Sequence, residues 1–159
     1  MSLKLYKRMK KIVEMCEPVD VIVDVGSDHG KVAISIANKK IANEVVAIDN
    51  KIMPLKNCDK NAKIYLNDNA SKFTTLLSDG LDKFDKERES GIIITGIGFD
   101  NMKNILSNIF DYNFKYLILS PHTKITELIR FLSAHNLNNY LQESIYEDEK
   151  YYYILKVYR

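Results

Sequence analysis

An acidic run punctuated by glycine, Asp24-Val25-Gly26-Ser27-Asp28-His29-Gly30, and a second carboxylate at Asp49 are the residues best spaced to do chemistry in this chain. The run follows a β-type stretch, Val19 to Val25, and precedes an apolar stretch with helical spacing, so it reads as strand, turn, helix. Gly26, lacking a Cβ, lets the backbone turn sharply and approach a ligand, and Gly30 lets the following helix pack close to the strand. Carboxylates stand where a phosphate loop would offer an open anion cradle, so the expected ligand is cationic or zwitterionic.

Asp49 closes the run Glu44 to Ile48 and lies nineteen positions beyond Gly30. An acid at that spacing accepts hydrogen bonds from both hydroxyls of an adenosine ribose. Nicotinamide dinucleotides and S-adenosylmethionine share that ribose, and the first turn discriminates between them. A dinucleotide site takes G-x-G-x-x-G against a pyrophosphate, whereas Ser27-Asp28 occupies the place of the second glycine and adds negative charge. A pyrophosphate is repelled there; a sulfonium bearing an α-amino group is not. Acid-ended strands before a glycine turn also occur in α/β proteins that bind no adenosine, so the rest of the chain must decide.

Residues Ser2 to Glu17 read as an amphipathic helix, with Leu5, Met9, Ile12, Val13 and Cys16 on one side and Lys4, Lys7, Arg8, Lys10 and Lys11 on the rest, stopped by Pro18. That basic face either contacts phosphates, with Lys7, Arg8 and Lys11 as the residues to test, or is simply solvated. Strands are expected at Val19 to Val25, Glu44 to Ile48, Lys72 to Leu77, Gly91 to Thr95 and Tyr116 to Leu119. Helices are expected from about Lys31 to Lys39, from Met53-Pro54 to about Asn67, from Phe99 to Phe110 and from Ile125 to Asn136. The pattern reads as alternating strand and helix throughout. It then changes: Tyr140 to Tyr146 and Tyr151 to Val157 are joined by only Glu147 to Lys150, which suits an antiparallel hairpin. Five alternating units closed by a hairpin describe an α/β, Rossmann-like fold of the class I methyltransferase type. Its seven-stranded sheet is mostly parallel, with helices on both faces and the last strand inserted antiparallel. Alternation along Tyr151-Tyr152-Tyr153 puts these rings on opposite faces, which favours a packing role over base stacking.

A length of 159 residues fits one domain, residues 1–159, too short for the two domains most dehydrogenases need. With a net charge of +2 the chain is no polycation, so any nucleic-acid surface must be local. Cys16 and Cys58 form no C-x-x-C pattern and have no His at metal-ligand spacing, so they read as structural and no metal is expected. With neither a membrane-length apolar run nor a signal-peptide core, a cytoplasmic location and no membrane contact are expected.

Across nearly its whole length the chain resembles the bacterial tRNA adenine-N1 methyltransferases that act at position 22 of tRNA. The likeness is carried by Leu5-Tyr6-Lys7-Arg8-Met9, Asp24-Val25-Gly26-Ser27-Asp28-His29 and Ser78-Asp79-Gly80-Leu81. It continues in Leu119-Ser120-Pro121-His122 with Arg130-Phe131-Leu132, Glu143 and Tyr153-Ile154. The resemblance implies S-adenosylmethionine as methyl donor and an adenine of tRNA as acceptor. Gly26, Ser27 and Asp28, flanked by Asp24 and His29, would surround the methionine end. Asp49 would hold the ribose, Asp79 with Gly80 would meet the adenine edge, and Gly96 would lie under the cofactor. All of these fall at the carboxyl ends of neighbouring strands, where open α/β sheets bind ligands.

Departures from the family pattern cluster on the acceptor side. Asp-His-Ala-Tyr-Leu-Pro becomes Asp28-His29-Gly30-Lys31-Val32-Ala33, Gly-Met-Gly-Gly becomes Gly96-Ile97-Gly98-Phe99, and Gln-Pro-Asn becomes Ser120-Pro121-His122. Lys31, Phe99 and His122 are therefore the acceptor-side candidates, His122 or Phe99 either stacking on a base or, for His122, accepting a proton or capping a helix. The family also carries a helical C-terminal extension, and this sequence reaches Arg159 just after its last strand. Either substrate specificity has shifted, or the grip on RNA is weak, or a protein partner or a second copy supplies it. The alternative reading is a catalytically inactive cofactor-binding homologue serving as a subunit of an RNA-modifying complex.

Overall fold

The computed structural model describes residues 3–159; Ser2, the first residue of the expected N-terminal helix, lies outside them. The elements follow one another as α1 (Lys7–Met15), β1 (Val19–Val25), α2 (Lys31–Asn38), β2 (Ala42–Asp49), α3 (Ile52–Tyr65), β3 (Lys72–Leu77) and β4 (Ser90–Thr95). They continue as α4 (Phe99–Leu106), a 3₁₀ turn (Ile109–Asp111), β5 (Phe114–Ser120), α5 (Ile125–Ala134), β6 (Tyr140–Glu147) and β7 (Lys150–Tyr158). The seven strands form one sheet in the order β3-β2-β1-β4-β5-β7-β6. β1 to β5 are parallel, and β7 runs antiparallel between β5 and β6. The expected fold class and inserted last strand are thus the observed ones.

β-branched residues fill the central strands because both faces are covered. Ile12 and Val13 of α1, Val32, Ala33, Ile36 and Ala37 of α2 and Cys58 of α3 pack on one face, against Ile22, Val45, Ala47, Ile93 and Ile118. Phe99, Met102 and Leu106 of α4 and Leu128 and Leu132 of α5 pack on the other, against Val21, Val23, Ile92, Ile94 and Leu117.

Three expectations need correction. The N-terminal helix begins at Lys7, because Leu3 to Tyr6 are not helical. The expected Phe99 to Phe110 helix stops at Leu106. There the Ser107 hydroxyl donates to the Asn104 carbonyl (2.8 Å), the local competition by which Ser and Asn disfavour helix interiors, and the chain resumes as a 3₁₀ turn. Strand and helix do not alternate throughout: between β3 and β4 residues 78–89 form turns and no helix. Leu81 and Phe84 are the only buried apolar residues there, too few for a helical stripe. Phe84 stacks on Tyr112, whose hydroxyl donates to the Leu81 carbonyl (2.7 Å). Arg88 ends the segment by pairing with Asp20 (3.1 Å) and Glu44 (2.5 Å).

The hairpin link is two residues, shorter than expected, since β6 and β7 pair out to Glu147 and Lys150. Asp148 and Glu149 both take positive φ (53° and 60°), the handedness that matches the twist of the flanking strands. Gly30 also departs from its assigned role. It adopts φ +75°, and a Cβ there would lie 2.5 Å from the Cys58 sulfur, so the close approach it permits is that of α3. Gly30→Ala is expected to cost about 2–4 kcal/mol in urea unfolding, from overpacking plus left-handed strain. Adding Cys58→Ala should recover part of that loss, the strain remaining; equal additive losses would refute the contact as the cause.

Candidate functional site

The carboxyl ends of β1, β2, β4 and β5 open onto a cleft made of two adjoining cavities. The first, about 460 Å³, is bounded by Asp24, Gly26, Ser27, Asp28 and His29 of the β1–α2 turn and by Lys31 and Val32 of α2. Thr95, Gly96 and His122 bound it from β4 and β5, and Tyr6, Arg8, Met9 and Ile12 from the N-terminal segment. The second, about 500 Å³, is bounded by Asp49 and Asn50 after β2, Ser78, Asp79 and Gly80 after β3, Gly96 and Ile97 after β4, and Asn101, Asn104 and Ile105 of α4. Gly26, Asp28 and Gly96 border both, so the cavities are halves of one elongated site. Each volume lies within the range of roughly 300–1,000 Å³ typical of small-molecule sites.

Backbone bonds set the turn. Gly26 and Ser27 donate N–H bonds to the Ile48 carbonyl (2.8 and 3.1 Å), and Gly30 donates to the Ser27 carbonyl (2.8 Å). Ser78 N–H bonds to the Asp49 carbonyl (3.0 Å), which ties the acid of β2 to the turn after β3. Positive φ at Gly26 and Gly96 (76° and 75°) requires glycine at both positions, and a Cβ on Gly96 would meet no atom within 4 Å, so the space over it is open.

Asp24 is the least comfortable residue of the site. Its carboxyl is 4% exposed, pairs with no cation among the described residues, and burial pushes its pKa up to about 7. The Ser27 hydroxyl beside it is buried, has no partner other than that carboxyl, and holds the pKa down in part. A buried carboxyl that has one hydroxyl beside it and no counter-charge, at a cavity wall, calls for a ligand that donates hydrogen bonds and carries positive charge. A primary ammonium meets both demands, so these residues fit the amino-acid end of S-adenosylmethionine. Asp28 and His29 are more open, with His29 Nε2 3.6 Å from the Asp28 carboxylate and the His29 carbonyl accepting from Asn61 Nδ2 (2.7 Å).

The structure therefore brings Asp24, Gly26, Ser27, Asp28, His29 and Gly96 together at the first cavity and Asp49, Asp79 and Gly80 at the second. Of the acceptor-side candidates, Lys31 and His122 line the first cavity. Phe99 does not: it is buried against Phe131 in the core beneath α4 and α5 and borders neither cavity. Arg8, read from the sequence as a surface cation, is part of the first cavity's wall, while Lys7 remains exposed and Lys11 pairs with Glu14 (3.4 Å).

Tyr6 just before α1, Met9 and Ile12 on α1, and Asn101, Asn104 and Ile105 on α4 are site residues that the sequence reading does not include. The α4 set did leave a signal, since positions 101, 104 and 105 share one helix face directly after a glycine turn. Among the described residues no group of three His, Cys, Asp or Glu side chains is placed to hold a metal ion. Burial pushes both thiols, Cys16 and Cys58, up to about 12, and no described helix is long and apolar enough to cross a membrane.

Because the folded state raises the Asp24 pKa from 3.8 to about 7, it holds a proton that the unfolded chain releases. Asp24 therefore subtracts stability as pH rises from about 4 to about 7, on the order of 4 kcal/mol in all. Urea midpoints of the ligand-free protein should fall over that window, and Asp24→Asn should flatten the fall. A midpoint independent of pH in the parent protein would contradict the buried, unpaired carboxyl.

Residues 5–155 match the methyltransferase domain family. No curated protein matches the chain. Among solved structures, TrmK from M. capricolum in complex with S-adenosyl-homocysteine is 26% identical with a TM-score of 0.81, the match covering 97% of this chain and 68% of that one. The B. subtilis M1A22 tRNA methyltransferase TrmK is 21% identical with a TM-score of 0.75 over 99% and 67% of the two chains. A Streptococcus pneumoniae protein in complex with S-adenosyl-L-methionine is 24% identical with a TM-score of 0.85 over 98% and 73%. With the family match running from the N-terminal segment that walls the first cavity to the last strand of the sheet, this chain belongs to the methyltransferase domain family.

Proposed function

We propose that the protein is an S-adenosylmethionine-dependent methyltransferase that modifies N1 of an adenine in tRNA, acting as a single domain in the cytoplasm. The observation that carries the cofactor half of this reading is the buried Asp24 carboxyl, without a counter-charge and with the Ser27 hydroxyl beside it, in a cavity continuous with the Asp49 and Asp79 carboxylates in the next. S-adenosylmethionine supplies an activated methyl group on a sulfonium. Asp24 and Ser27 hold the ammonium end, Asp49 takes the ribose hydroxyls, Asp79 and Gly80 border the adenine, and Gly96 leaves room for close approach. The solved relatives from M. capricolum and B. subtilis, named as TrmK, support tRNA as the acceptor.

The protein's task in such a reaction is alignment, because adenine N1 already presents a lone pair and needs no strong base. Tyr6, Thr95, Lys31 and His122 bound the part of the first cavity not taken by the β1–α2 turn, and they are the residues available to hold the acceptor base. Charge distribution favours a polyanion on one side of the sheet. Helices α1, α2 and α3 carry eight Lys or Arg against two acids, whereas α4 and α5 carry two of each. Lys7 on the exposed part of α1 and Lys11 beside it are the first candidates for phosphate contact.

Calorimetric titration with S-adenosylmethionine is expected to show saturable binding that Asp49→Ala weakens by at least about thirtyfold, roughly 2 kcal/mol. Affinity should rise roughly eightfold from about pH 6 to about pH 7.5 as Asp24 ionises opposite the ligand ammonium, and lose that dependence in Asp24→Asn. Incubation with labelled cofactor and bacterial tRNA should place label in 1-methyladenosine. Replacing Lys7 and Lys11 together should weaken tRNA binding and reduce its salt slope by about two. Absence of cofactor binding would end the methyltransferase reading; binding without label in any RNA would end the tRNA reading alone.

A further inference from the structure

The tyrosine run of β7 meets the site through one ring. Arg8 stands with its guanidinium carbon 4.3 Å from the centre of the Tyr152 ring, and Arg8 makes no ion pair among the described residues. Tyr152 lies three positions beyond the Leu119–Leu155 register pair, so the hairpin carries it about 10 Å past that point toward the ligand end of the sheet. The tip of the hairpin is also fastened to α1, where the Lys7 N–H donates to a Glu147 carboxylate oxygen (2.7 Å). First helix and last hairpin thus form one wall, and Arg8 is the part of it that borders the first cavity.

The geometry points to Tyr152 as a positioning residue that holds the Arg8 guanidinium at the cavity wall, where Arg8 binds the carboxylate of the ligand's amino-acid end. This rests on the S-adenosylmethionine reading. A zwitterion needs both signs of charge across one cavity. Asp24 and Ser27 supply the pole for the ammonium, and the basic side chains around the same cavity are Arg8, Lys31, His29 and His122. His29 already faces Asp28 (3.6 Å), and Lys31 is a point charge lying 5.4 Å over the Tyr6 ring. Only Arg8 offers the planar fork that matches a carboxylate at two points. A long, mobile side chain binds poorly unless its freedom is lost beforehand, and the flat contact with Tyr152 removes that freedom before the ligand arrives. Tyr152 borders neither cavity, so it acts through Arg8 alone.

The test compares S-adenosylmethionine with decarboxylated S-adenosylmethionine, which lacks only the carboxylate, by calorimetry on the full chain. Tyr152→Leu is expected to weaken the first ligand about tenfold and the second less than about twofold. Tyr152→Phe, which keeps the ring face, should leave both within about twofold. Arg8→Ala, which leaves the hairpin intact, should show the same selective loss, and Arg8→Ala with Tyr152→Leu should lose no more than Arg8→Ala alone. Equal weakening of both ligands by Tyr152→Leu and by Arg8→Ala, or selective loss in Lys31→Gln and not in Arg8→Ala, would overturn the assignment. A parent protein that binds neither ligand would overturn the cofactor reading and this one with it, whereas a parent that binds both ligands equally would overturn only this one.

Discussion

A carboxyl without a counter-charge at the end of the central strand is the constraint around which the rest of the site is arranged. Asp24 lies on β1, with β2 on one side and β4 on the other, so the sheet that supplies the core also removes water from this acid. Leaving such a group unpaired costs stability, and a protein selected for stability alone would carry an apolar residue there. The buried Ser27 hydroxyl beside it is neutral, so the charge of the carboxylate stays uncompensated and marks a place kept for another molecule. The ends of β1, β2 and β4 then fix where that molecule can extend, with Asp49 and Asp79 along the same edge of the sheet.

Close packing on the helical side keeps this arrangement rigid. Gly30, in a left-handed conformation, lets Cys58 of α3 press against the turn, and Asn61 of the same helix donates to the His29 carbonyl. The turn that presents Asp24 to His29 is thus clamped between its own helix and α3. At the other end of the sheet Arg88 joins Asp20 and Glu44, a network that orders the entry to β4 without approaching the cleft. Stability and ligand chemistry are segregated to opposite strand ends, as parallel sheets allow, because loops at one end can vary while those at the other hold the register.

Much of this was legible in the residues. Val19 to Val25 and Lys72 to Leu77 are strands with the expected bounds, since continuous β-branched or alternating runs between turn residues admit few other readings. The hairpin followed from a short link between two β-rich runs, and the cofactor-side acids followed from their spacing along the first two strands. The helices were less exact. The end of α4 depends on a Ser107–Asn104 bond rather than on apolar periodicity, and residues 78–89 break the alternation because they offer only two buried apolar side chains. Phe99 illustrates a further limit: next to a glycine turn it resembled an acceptor-side aromatic, yet its helix points it at Phe131 in the core. Arg8 erred in the opposite direction. Five basic residues on one helix look alike in sequence, and only the packing of α1 against the hairpin distinguishes the one that borders the cavity.

That packing joins parts of the chain separated by nearly its whole length. Tyr116 on β5 accepts the Glu17 N–H and donates to the Glu17 carbonyl, which pins the α1–β1 link across the sheet. Lys156 on β7 adds an ion pair to Glu17 (3.2 Å) while lying over the Tyr116 ring. These contacts fix the far end of α1, and the Glu147 and Tyr152 contacts fix its near end. The first cavity therefore acquires its last wall only when β7 has inserted between β5 and β6. Sequence-distant contacts of this kind form late, after the loop-closure entropy has been overcome. It follows that the turn with Asp24 can be built by local βαβ structure, whereas the cationic side of the same cavity depends on completion of the whole sheet.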